Sequence, residues 1–152
     1  MQTFMPEPLD FDSCAVVLDN RRLGKQRVEA LQILHALTTP DYGWQNHPAV
    51  RMWRGYTRAL KEYYNCMLNE WEQRGFRNLK LKYFYQSTRR IEYPPWLTVP
   101  NLKYTHRANL LRKDPVYYGR FKWEVTTMNG YWWPYTRVHG RWRCNFIKGR
   151  TI

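Results

Sequence analysis

The clearest periodicity in the chain begins at Pro48, a favoured first helical residue. From there Val50, Trp53, Thr57, Leu60, Tyr64, Met67 and Trp71 step alternately by three and four, an a/d seam of about six turns that Gly75 is suited to stop. The spacing predicts one long central helix. A second stripe, Val28, Leu31, Leu34 and Leu37, predicts a helix from about Asn20 to Thr38, followed by a loop at Pro40, Asp41 and Gly43. Asp10, Asp12 and Ser13 are N-cap candidates for a short helix ending near Leu18, and Asn46 or His47 is suited to cap the long one.

The second half is patterned more weakly. Tyr93, Pro94, Pro95, Trp96 and Pro100 read as a long ordered loop, and Thr105 to Leu111 as helical. Asp114, Pro115 and Gly119 spell a single capped turn. Beyond Asn129 the glycines and Pro134 allow irregular structure or at most a hairpin. The expectation is an all-α fold: a compact helical bundle in one domain over 1–152, with a loop-rich basic C-terminal flank. A chain of 152 residues can bury an ordinary core without metal or disulfide staples.

Charge changes this picture. The chain carries 25 Lys and Arg against 12 Asp and Glu, a formal +13. Residues 1–76 hold nine of each sign, whereas residues 77–152 hold sixteen basic side chains and only Glu92, Asp114 and Glu124. A balanced half beside a cationic half is the footprint of a polyanion-binding face, because neutralised phosphates release counterions. Aromatic residues, 17% of the chain, interleave with that charge at Tyr83–Tyr85, Tyr117–Tyr118 and Trp142. Rings of this kind stack on unpaired bases, although Trp53, Tyr64 and Trp71 on the long seam read as core.

Other features narrow the class. A hydrophobic content of 43% argues against disorder, and no apolar run approaches a membrane span. The first residues lack the order of a signal peptide. Cys14, Cys66 and Cys144 are odd in number and dispersed, which predicts reduced thiols in a cytoplasm. His35, His47, His106 and His139 are isolated, so neither a metal nor another cofactor is expected. No glycine-rich phosphate loop and no G-x-S-x-G motif appears.

What remains is a polar cluster on the early helix: Asp19, Asn20, Arg21, Arg22, Lys25, Arg27 and Glu29. Arg22, Lys25 and Glu29 are spaced by three and four and share one face. A carboxylate among cations is kept ionised beside bound phosphates. Asn46, His47 and Pro48 form a second polar group at a helix start, where free N–H groups suit a phosphate.

The segment from Leu18 to Leu34, with Asn20-Arg21-Arg22-Leu23-Gly24-Lys25-Gln26-Arg27-Val28-Glu29 at its centre, resembles the hallmark of bacterial and phage pyrimidine-dimer DNA glycosylases of the endonuclease V type. Asn46 to Trp53 and His106 to Pro115 resemble two further blocks. The likeness spans residues 1–120 as a helical core and leaves 121–152 as a basic aromatic extension. It implies a helical enzyme that binds damaged duplex DNA, kinks it and extrudes a base, whose extrusion is least costly at a damaged step. It also implies an N-terminal α-amine that attacks the sugar C1′, a Schiff base, and β-elimination assisted by an early-helix Glu. An α-amine suits this chemistry because its reference pKa of about 7.7–8.0 leaves a neutral fraction that lysine lacks.

This chain departs from the family pattern in two ways. Its first residues are Met1 and Gln2, so the expected nucleophile is the Met1 amine, or else Lys25. Arg22 aligns with the family's Glu, which leaves Asp19 and Glu29 as the nearest carboxylates, and Glu29 is the expected acid/base. Phosphate and base contacts are expected from Arg21, Arg22, Arg27, His47, Arg51, His106, Arg107, Arg112, Lys113, Arg141, Arg143 and Lys148, with duplex DNA as the partner and no obligate protein partner. Two rival readings share these residues: the same fold acting on a phage-type modified pyrimidine, and a binding module that catalyses nothing.

Overall fold

The computed structural model describes residues 1–138 and 141–147, with side chains described as far as residue 134. Among the described residues six α-helices, α1 (Phe11–Val17), α2 (Asn20–Thr38), α3 (Pro48–Arg51), α4 (Thr57–Gln73), α5 (Pro100–Lys113) and α6 (Pro115–Gly119), precede a hairpin of β1 (Tyr131–Val138) and β2 (Arg141–Ile147). The fold class is all-α, with the hairpin as an appendage.

α2 begins where Asp19 accepts a hydrogen bond from the Arg22 N–H at 3.1 Å, and it ends one residue before the extended Thr39 that precedes Pro40. Its buried face is Leu23, Gln26, Ala30, Ile33 and Leu34, while Val28 is 42% exposed. The stripe is therefore rotated from the one the leucines suggest. A step of three residues turns about 300° about the axis, so a run of such steps drifts around the helix.

The long central helix is not continuous. Residues between α3 and α4 form a turn in which Gly55 takes a φ of +84°. Met52, Trp53 and Tyr56 stay buried through that turn, so the apolar seam continues across a break in the helix. α2 and α4 pack closely: a Cβ on Gly24 would lie 3.0 Å from Cζ3 of Trp71. Trp53 stands edge-on to Trp96 at 4.9 Å, and the Trp96 indole N–H donates to the Met52 carbonyl at 2.9 Å. Tyr63, Tyr64, Met67 and Leu68 complete the centre of the core.

Pro95–Thr98 form one 3-10 turn within the expected loop, and α5 starts earlier than its apolar pattern suggests because Pro100 occupies its first turn. α6 is capped by Asp114, which accepts from the Tyr117 N–H at 3.0 Å. The hairpin is antiparallel, pairing Tyr131 with Ile147 and Val138 with Arg141, and its register slips between Pro134 and Thr136. β1 lies on α5, where the Gly130 and Trp132 N–H groups donate to Asn109 Oδ1 (3.3 Å) and Thr105 Oγ1 (3.2 Å), and its Trp132 and Trp133 are buried. Among the described residues no helix is long and apolar enough to cross a membrane.

Candidate active site

The chain start is woven into the core. Gln2, Thr3, Phe4 and Met5 are all buried, although they belong to no helix or strand. Buried backbone needs partners, and these come from far along the chain. Gln26, itself fully buried on α2, accepts the Phe4 N–H at 3.0 Å and donates through Nε2 to the Gln2 carbonyl (2.9 Å) and to Glu29 Oε2 (3.0 Å). The Tyr63 hydroxyl reaches the Phe4 carbonyl at 2.9 Å and Gln26 Oε1 at 2.6 Å. The Trp53 indole donates to Thr3 Oγ1 at 3.1 Å, and the Met5 N–H donates to His106 Nδ1 at 2.9 Å.

This network brings the first residues to Glu29. The Gln2 N–H donates to Glu29 Oε2 at 3.3 Å, so the residue next to Met1 is held on the carboxylate. Glu29 Oε2 thus receives two N–H donors. Its Oε1 lies 3.8 Å from Lys25 Nζ, and the Lys25 side chain is 74% exposed. Asp19, the other candidate carboxylate, is committed elsewhere. It caps α2, pairs with Arg22 Nη1 at 2.8 Å and accepts the Tyr118 hydroxyl at 2.5 Å. Burial pushes its pKa up, but these hydrogen bonds outweigh burial and hold it below the usual carboxylate value.

His47 borders the chain start from the opposite element. Its Nδ1 accepts the Ala49 N–H at 3.0 Å, capping α3, so the neutral ring carries its proton on Nε2. Partial burial lowers its pKa, and the positive charge at the Met1 amine lowers it further. The ring stands edge-on to Trp133 at 6.3 Å and to Trp44 at 6.0 Å. The hairpin closes another side, where Tyr131 lies against Phe4 and His106. Arg112, Arg22 and Glu29 act on the Tyr131 hydroxyl electrostatically, while burial is the main force raising its pKa. Lys113 is half-buried with Arg112, Arg22 and Lys25 close enough to depress its pKa beyond the effect of burial, against an opposing Glu29. The early-helix face and the start of the C-terminal flank therefore meet.

The chain belongs to the pyrimidine dimer DNA glycosylase family. The family model of that description matches residues 1–84, more than half of the sequence. Neither a curated protein nor a solved structure matches the chain. The family is one of DNA-repair glycosylases, and the matched span holds the buried chain start, Gln26, Glu29, His47 and Tyr63. It is shorter than the 1–120 likeness suggested by sequence, and Arg107, Arg112, Lys113 and the hairpin lie beyond it.

Several residues expected at the glycosylase site stand differently. His106 is wholly buried and holds Met5, so it faces no phosphate; burial drives its pKa down to about 3. Arg107 donates to the Pro6 carbonyl at 2.9 Å, pairs with Glu7 and lies over Trp123, fastening the segment after the chain start. Arg27 lies 4.0 Å over the Trp71 ring. Arg22 is tied to Asp19. Arg21 and Lys25 are exposed, and Arg51 ends α3. Arg141 and Arg143 lie on β2 with side chains outside the described set, and Lys148 lies outside the described residues.

Gln26, Tyr63, Thr3 and Trp53 were not legible as site residues, because neutral hydrogen-bonding groups leave no charge pattern. One signal was present. Gln26 falls between Leu23 and Ala30 on the buried face, and a polar residue there requires a partner.

Proposed function

We propose that this glycosylase excises a damaged pyrimidine through the Met1 α-amine and then nicks the strand by β-elimination. The neutral amine bonds to the sugar C1′ as the C1′–N bond breaks and the base leaves with the bonding electron pair and takes up a proton. Loss of the amine proton and opening of the sugar ring, with a proton delivered to the ring oxygen, form the C1′=N imine. Removal of a C2′ proton then expels the 3′ phosphate. Glu29 carries these protons on Oε1, which faces Lys25 while Oε2 accepts the Gln2 and Gln26 donors. Lys25, Arg112 and Lys113 hold phosphates of the strand.

The observation that carries this reading is the hydrogen bond from the Gln2 N–H to Glu29, which joins the residue beside the amine to the one of the two candidate carboxylates, Asp19 and Glu29, that caps no helix. Borohydride added during incubation with a duplex bearing a thymine dimer or an abasic site is expected to trap a covalent protein–DNA adduct. Glu29→Gln keeps an acceptor for both N–H donors but cannot carry the proton, and turnover is expected to fall about 10²–10⁴-fold. An N-terminal extension that converts the amine to an amide is expected to abolish trapping while binding persists. Binding with neither adduct nor nicking on either DNA would overturn this reading and leave the modified-pyrimidine and the non-catalytic ones.

A further inference from the structure

Trp44 differs from the other tryptophans whose side chains are described. It is 65% exposed, whereas the others are buried or half-buried. Its φ is +71°, in the left-handed region. Asp41, in the same loop at φ +58°, is of a type that tolerates this conformation, but a bulky aromatic is a genuine outlier there. Such strain persists only when the surroundings over-determine it, and burial of the indole does not compensate for it here.

The loop is held from several sides. The His47 N–H donates to the Trp44 carbonyl at 2.9 Å, Arg54 donates to the Gln45 carbonyl at 2.8 Å, and Gln45 Nε2 donates to the Thr39 carbonyl at 3.2 Å. These bonds hold an exposed indole at the rim of the site, with its ring 6.0 Å from His47, the residue that senses the Met1 charge.

Bringing the sugar C1′ of a duplex nucleotide to an amine anchored in the protein kinks the duplex and extrudes a base, and that departure opens a gap between base pairs. Apolar side chains inserted into such a step unstack and kink the duplex. We infer that Trp44 is a wedge: its indole enters the gap vacated by the extruded nucleotide, acting as a positioning residue. The inference rests on the DNA-repair reading above. It adds a specific demand, since the ring must supply stacking and the strained backbone must aim it.

The test measures fluorescence of a duplex carrying one thymine dimer opposite 2-aminopurine, together with its affinity for the protein, for wild type, Trp44→Phe and Trp44→Asn. Wild type is expected to raise 2-aminopurine emission on binding, and Trp44→Phe to retain most of the rise because a stacking ring remains. Trp44→Asn is expected to lose the rise and to bind roughly 5- to 150-fold more weakly. Asparagine adopts the left-handed region readily, so this variant should melt at or above the wild-type temperature, which separates lost stacking from misfolding. Wild-type binding without a rise in emission, or a rise that Trp44→Asn retains, overturns the wedge and leaves the DNA-repair reading standing. Failure of the wild type to bind the duplex overturns that reading and the wedge with it.

Discussion

His106 links the chain start to proton binding. Its Nδ1 is occupied by the Met5 N–H and its burial is complete, so the folded protein holds it neutral down to about pH 3, whereas in the unfolded chain it titrates near 6.5. Between those values the unfolded state binds more protons, and stability therefore rises with pH through the window and falls as pH is lowered through it. The expected slope is up to about 1.4 kcal/mol per pH unit from this residue. His47, also lowered, adds in the same direction, while Asp10 and Asp19 act only below the ordinary carboxylate value. Urea denaturation at a series of pH values between about 4.5 and 6.5 is expected to show a shallower slope for His106→Gln than for wild type. An unchanged slope would mean that the ring is not held neutral.

The elements were unequally readable. The bounds of α2 were legible because an apolar recurrence runs up to the loop at Pro40, Asp41 and Gly43, and α6 because Asp114, Pro115 and Gly119 coincide. The break between α3 and α4 was hidden because apolar residues keep the same spacing through it. Gly55 was the available signal: its φ of +84° is what allows the turn, and the space beyond its Cα is empty. Gly55→Ala should therefore act through the backbone alone and cost about 1–2 kcal/mol, read as a lower urea midpoint with an unchanged m-value. The candidate site was legible where charge marked it, at Lys25, Glu29, Arg112 and Lys113. It was illegible where neutral groups built it, as at Gln26 and Tyr63, and misleading at His106 and Arg107, whose polarity serves the chain start.

Across the whole molecule, the formal charge of +13 resides in residues 77–152, and α5 delivers part of it to the site through Arg112 and Lys113. Glu29 and Tyr131 lie within electrostatic reach of that pair, which makes these cations the ones expected to grip the strand nearest the reacting sugar. If each neutralises one phosphate, replacing both with Gln is expected to flatten the plot of log affinity against log salt by about 1.8, from roughly 0.9 per contact on duplex DNA. Filter binding across a salt series measures this directly, and an unchanged slope would remove both residues from the interface.

The knitting of residues 2–5 into the interior also bears on biogenesis. The donor at Met5 finds its acceptor 101 residues later, on α5. A ribosome makes these residues first, and although Gln26, Glu29, Trp53 and Tyr63 follow early, the acceptor for Met5 emerges only after most of the polypeptide has been made. If the Met1 amine is the nucleophile proposed above, a product that ends before α5 is expected to be unreactive, because its first residues lack the His106 anchor.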